Sequence, residues 1–171
     1  MKKIFVIIML ISLFSCGKRE VKESNLKENN IESETSGLGT LIRWDTLFIS
    51  ARFDECGEFG GHKEVLEIFK RDKKIYLTYK KNTIDCDKVD EISEAKLSLV
   101  KEIELSTQHQ KAIKEYFYYL LQNKIDEGYH AHSGKEFKVL KADSTFFINV
   151  YDNNPNNPEI YNSLLKKLSL K

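Results

Sequence analysis

The chain changes rhythm at Leu41. From there Trp44, Thr46, Phe48 and Ser50 alternate with Leu47, Ile49, Ala51 and Phe53, a period of two that predicts a first strand. His62 to Lys70 (HKEVLEIFK) and Ile75 to Lys80 (IYLTYK) continue as strands, separated by Arg71-Asp72-Lys73-Lys74, and the short connections suit an antiparallel meander. Leu97, Leu99, Ile103 and Leu105 keep one parity that Lys101 interrupts, which predicts a fourth strand. The period then turns helical, with Ile113, Phe117, Leu120, Leu121 and Ile125 recurring over 107 to 125. Thr107 and Gln110 stand three apart as a capping box requires, and Gly128 follows where a C-terminal turn is expected. Phe137 to Lys141 and Thr145 to Tyr151 alternate again and read as a hairpin. After the loop Asp152 to Asn157, Asn157 is placed to cap a last helix with Pro158 at its first position, and Ile160, Tyr161, Leu164, Leu165 and Leu168 form its apolar stripe.

The expected fold class is therefore α+β, in the order ββββαββα, with both helices on one face of an antiparallel sheet. No internal repeat, dinucleotide motif or phosphate loop interrupts this pattern. Composition agrees: 41% hydrophobic and 31% charged residues describe a globular chain, and 171 residues leave room for one domain, assigned to 41–171.

The segment before Leu41 has a different character. Residues 1–15, MKKIFVIIMLISLFS, place two lysines before an unbroken apolar run and end in a small residue, the layout of a secretory signal peptide. The uncharged stretch from Ile4 to Phe14 spans 11 residues. A membrane-spanning helix needs about 20. Residues 17–40 contain no aromatic residue and are dominated by Lys, Glu, Ser and Asn. That composition suits a linker rather than a core, with a reach of roughly 27 Å.

Leu13-Phe14-Ser15-Cys16 resembles the lipobox of bacterial lipoproteins. The resemblance covers the first 16 residues and implies cleavage before Cys16, lipid on that cysteine, and a 16–40 segment that is a lipidated cysteine plus flexible linker. It also implies a bacterial cell-envelope location facing the periplasm or the exterior. Gly17 is not the aspartate that retains such proteins in the inner membrane of enteric bacteria, so the resemblance favours the outer membrane. Several acyl chains, each buried methylene contributing about 0.8 kcal/mol, hold a membrane far more firmly than one.

Export shapes the reading of the remaining residues. The chain has 27 basic and 26 acidic residues, and removal of Lys2 and Lys3 brings the balance to 25 against 26. No basic stripe is present to neutralise phosphates, so nucleic acid is not an expected partner, and Lys70, Arg71, Lys73 and Lys74 read as a solvated turn. With Cys16 assigned to lipid, Cys56 and Cys86 are an even pair in an oxidising compartment, where a disulfide is expected. The functional alternative is a free thiol at Cys56 with His62 as its base.

The densest polar cluster runs from Asp54 to Glu64 and contains Asp54, Glu55, Glu58, Gly60, Gly61, His62 and Glu64. Glycines there permit positive φ or close approach of a ligand, so this is the candidate binding loop; the plain alternative is a bulged hairpin connection with solvated acids. His130 and His132 stand at i and i+2, and with His62 they could offer three nitrogen ligands to zinc, with Glu58 or Glu64 as base. No His-Glu-x-x-His helix accompanies them. Asp85, Asp87, Asp90 and Glu91 begin like a calcium loop, but Val89 stands where a ligand belongs. Tyr116, Tyr118 and Tyr119, with Trp44 and Tyr76, make a candidate aromatic surface or, more plainly, a half-buried helix flank.

No catalytic constellation is complete. The expected function is a membrane-anchored, non-enzymatic binding module with an envelope protein, peptide or glycan as partner and no cofactor, and the rival is a zinc-binding protein or metal-dependent hydrolase built on His62, His130 and His132.

Overall fold

The structure is a computed structural model that describes residues 37–57, 60–88, 96–126, 134–151 and 154–171, all within the compact unit Glu32–Lys171. The signal segment, Cys16, Glu58, the Val89–Glu91 stretch, Gly128, His130 and His132 lie outside the described residues.

Six strands form one antiparallel sheet: β1 (Leu47–Arg52), β2 (Lys63–Arg71), β3 (Lys74–Lys81), β4 (Ser98–Glu104), β5 (Glu136–Lys141) and β6 (Phe147–Tyr151), with α1 (Thr107–Asp126) between β4 and β5 and α2 (Asn156–Lys167) after β6. The spatial order is β4-β3-β2-β1-β5-β6. The first four strands are a meander, after which the chain passes through α1 and returns to pair β5 on the free side of β1. The α+β class and the element order are those the periodicity predicts.

Alternation explains the sheet. Leu47, Ile49 and Ala51 of β1 lie in register with Ile68, Leu66 and Glu64 of β2, and Phe137 and Val139 of β5 flank them on the other side. These apolar side chains join Leu77, Tyr79, Ile148 and Val150 in a core that also holds Ile113, Tyr116, Phe117 and Leu120 of α1 and Tyr161, Leu164 and Leu165 of α2. At β4 the register with β3 shifts between Tyr79 and Lys80. Lys101 pairs with inward-facing Tyr79, whereas Leu99 pairs with Lys80 and is exposed. The parity break read at Lys101 is thus a bulge on an edge strand, a feature that discourages edge-to-edge pairing.

The β2–β3 turn places Asp72 at φ 50° and Lys73 at φ 65°, the pair of positive values that a two-residue hairpin of primed type requires. On the solvent face beside it Phe69 and Tyr76 stack at 6.2 Å, and the Arg71 guanidinium lies 4.1 Å from the Tyr76 ring centre.

Several boundaries differ from the sequence expectation. The core reaches back to Leu38, 1% exposed, ahead of the Leu41 boundary suggested by composition. Trp44 falls before β1 rather than in it. The reciprocal cap of α1 is made by Ser106 and His109, not by Thr107 and Gln110: the His109 N–H donates to Ser106 Oγ at 3.2 Å and the Ser106 N–H donates to His109 Nδ1 at 3.3 Å. Gln110 is engaged elsewhere, its Oε1 accepting from the Leu38 N–H at 3.2 Å. In α2 the cap position is Pro155 and makes no side-chain bond. Asn157 sits inside the helix, buried, where its Oδ1 accepts from Asn123 Nδ2 of α1 at 2.8 Å. That bond ties the two helices together.

Candidate functional site

The loop from Phe53 to His62 extends the β1–β2 ladder by one pair, the Phe53 N–H donating to the His62 carbonyl at 3.1 Å, and then closes tightly. The Cys56 N–H donates to the Gly60 carbonyl at 2.8 Å, and a disulfide joins Cys56 to Cys86 in the segment after β3. The expected pairing is therefore present, and it removes the reading of Cys56 as a free catalytic thiol. Two glycines are required by contact. A Cβ on Gly61 would stand 2.8 Å from both the Glu55 nitrogen and the Phe53 carbonyl oxygen. Gly134, at φ 79°, packs so closely that a Cβ would fall 2.1 Å from the Gly57 carbonyl oxygen. Gly134→Ala is expected to lower stability by about 2 kcal/mol, combining left-handed strain with the backbone clash, and to show as a reduced urea midpoint at unchanged slope.

Of the predicted loop residues, three converge. His62 donates or accepts through both ring nitrogens: Nδ1 meets Glu55 Oε1 in a short contact, and Nε2 lies 3.2 Å from Glu64 Oε1. The Glu55 carboxylate also accepts the His62 backbone N–H at 3.1 Å, and Phe53 stacks on the imidazole at 4.3 Å. Asp54 turns away to Lys135, 3.1 Å from its Nζ. Glu58 lies outside the described residues.

Glu64 is the centre of the arrangement. It is 0% exposed, the one charged side chain buried among the described residues. Its Oε1 is approached by Lys81 Nζ at 3.3 Å and by Lys171 Nζ at 3.4 Å, while its Oε2 makes no hydrogen bond of ordinary geometry. Burial pushes this carboxyl up, but the Lys171 charge, the Tyr79 hydroxyl and the Lys81 ammonium together outweigh burial and hold it below the usual carboxylate range. The effect on the neighbours is reciprocal: burial first, then the Glu64 charge, raises the Tyr79 and Tyr161 hydroxyls.

Two ionised carboxylates can only accept hydrogen bonds, and a neutral imidazole has a single N–H. Both His62 contacts can therefore be hydrogen bonds only with a doubly protonated ring or with one protonated carboxyl. The inner end of this chain of groups is closed by the Tyr79 and Tyr161 hydroxyls, which face Glu64. It joins the β1–β2 loop, β2, β3 and the segment after α2.

The sequence signal for Glu64 was its parity. It alternates in step with Leu66 and Ile68, so β2 must turn all three to the same face. Lys171 carried no such signal. The other predicted ligands His130 and His132 lie outside the described residues, and His62 engages both ring nitrogens with carboxylates. The tyrosines of α1 divide: Tyr116 is buried, Tyr119 half-buried and Tyr118 exposed. Leu121 and Ile125, expected in the core stripe, are exposed because α1 presents Ala112, Ile113, Tyr116, Phe117 and Leu120 inward instead.

Fold and site together define a small disulfide-stapled α+β domain with a buried carboxylate at its centre. No protein-family model, no curated protein and no solved structure matches the chain.

Proposed function

We propose that this chain is a lipid-anchored protein of the bacterial cell envelope whose folded domain is a non-enzymatic interaction module, with the outward side of α1 as its contact face. The observation that carries this reading is an apolar stripe turned to solvent: Tyr118, Leu121 and Ile125 recur at helical spacing and are 71%, 45% and 70% exposed. Single exposed apolar residues need no explanation, but three aligned on one helix face suit a partner. At Tyr118 the stripe meets an open cleft of about 1080 Å³ whose lining includes Lys111, Lys114, Glu115 and Lys167, the last two paired at 2.9 Å. A protein segment with apolar anchors at helical spacing complements the stripe. The polar cluster around Glu64, by contrast, is engaged internally. The lipobox supports the anchor.

The test places a photo-crosslinking residue at Tyr118 or Ile125 in the full chain, expressed in its native envelope. One discrete adduct is expected from both positions, none from exposed Lys88, and Leu121→Asp should abolish it while changing stability by less than about 0.5 kcal/mol. The absence of any adduct from both positions, or one that survives Leu121→Asp, would sink the contact face. Intact mass reads the anchor separately, since acylation should be found on Cys16 and be lost with Cys16→Ser.

A further inference from the structure

Trp44 is the single tryptophan of the chain and is 87% exposed, so core packing does not account for it. It stands at an open cleft of about 410 Å³ with Arg43, Phe69, Lys70 and Lys73. The Arg43 guanidinium lies 5.4 Å from the indole centre. Charge accounting separates this surface from the rest of the hairpin end. Arg71 is paired with Glu102 and Lys74 with Glu104, each at 2.8 Å. The Asp45 carboxylate is turned to backbone, accepting from the Thr46 N–H at 2.8 Å and the Asp143 N–H at 2.7 Å. Arg43, Lys70 and Lys73 make no ion pair among the described residues, so three positive charges face the carboxylates of Asp45 at the cleft and Asp72 in the turn.

An exposed indole ringed by unpaired cations has a specific chemical complement. The indole settles at the boundary between headgroups and acyl chains, where its ring is apolar-solvated and its N–H remains hydrated, and cations beside it meet phosphodiester groups. Long lysine stems let the ammonium groups stay at that level while the indole goes deeper. We propose that Trp44, Arg43, Lys70 and Lys73 form an interfacial patch with which the domain rests on an anionic phospholipid surface. This rests on the lipid-anchor reading for the presence of a membrane, and the chain that leads from Cys16 enters the domain through residues 37–46, beside the patch. Docked in this way the domain lies on the bilayer instead of standing clear of it.

Because one tryptophan supplies all the indole emission, fluorescence reports this residue alone. The full chain would be reconstituted into vesicles containing phosphatidylglycerol and into vesicles of phosphatidylcholine, with co-flotation showing attachment in both. A blue-shifted emission and protection from iodide are expected on the anionic vesicles only, reversed by raised salt as screening shortens the reach of the charges. Lys70→Glu with Lys73→Glu should return the emission to that seen on phosphatidylcholine, and Arg43→Glu should do the same without touching the turn. An unshifted emission on anionic vesicles, or an equal shift on both kinds, overturns the proposal. So does a shift produced by inorganic phosphate but not by the anionic surface, which would mean a small-anion site. Acylation of Cys16, read by mass on the same vesicle-bound chain, judges the anchor independently of the patch.

Discussion

Replacing Lys81 and Lys171 together with methionine is expected to destabilise the domain by about 3 kcal/mol, and adding Glu64→Leu to that variant is expected to restore most of the loss. The asymmetry follows from where each group sits. Glu64 is 0% exposed, whereas the side chains of Lys81 and Lys171 are 36% and 37% exposed. Methionine keeps much of the lysine stem but removes both ammonium groups, leaving the buried carboxylate to the His62 ring and the Tyr79 and Tyr161 hydroxyls. Removing the carboxylate instead lets the lysines return to water at little cost. If the methionine pair is as stable as the parent at neutral pH, the lysines do not compensate the buried charge and this account of Glu64 fails.

The same group makes stability depend on pH with a definite sign. Glu64 has a folded-state pKa below its ordinary value of 4.5, so it binds its proton less readily folded than unfolded. Its contribution is complete above that ordinary value and is lost as pH falls through the lower, folded value. Urea unfolding measured stepwise from neutral pH into the acid range should therefore lose a component in the parent that is missing in Glu64→Leu. Parallel curves for the two chains would contradict it.

Loss of the disulfide through Cys56→Ser and Cys86→Ser is expected to lower stability by about 3 to 4 kcal/mol, from the entropy released to the unfolded chain by opening the 30-residue loop between them. The staple also orders the loop that presents Glu55 and His62, since the Cys56 N–H bond to Gly60 lies within it. The serine pair should show a reduced urea midpoint, and the parent should move toward it on reduction. A change below about 1 kcal/mol would mean that the glycine contacts and the Asp54–Lys135 pair hold the loop unaided.

How far the site was legible depended on the kind of signal each residue carries. Glu64 shares the parity of Leu66 and Ile68, so its inward direction was written in β2. That it would be tolerated there was not, because its compensating charges arrive from a cross-strand neighbour, Lys81, and from a residue 107 positions away, Lys171. The helix caps failed for a related reason. Ser106 and His109 have the same spacing as Thr107 and Gln110, and local spacing cannot choose between them. Gln110 accepts the Leu38 N–H, a bond formed only when the chain ahead of β1 packs on α1. Lys101 is the reverse case, a visible break in pattern whose meaning, a bulge, appears only once β3 is alongside.

The sequence by itself determined the strands, the helices and their order, and led to the expectation of a Cys56–Cys86 pair. Periodicities of two and 3.6 decide which backbone can bury one face, and they act over neighbouring residues. Tertiary structure decided which apolar residues of α1 remained in water, whether Ser106 or Thr107 capped it, and which charges met Glu64. Those outcomes depend on burial and charge compensation between distant segments, and such terms have no value until the segments meet.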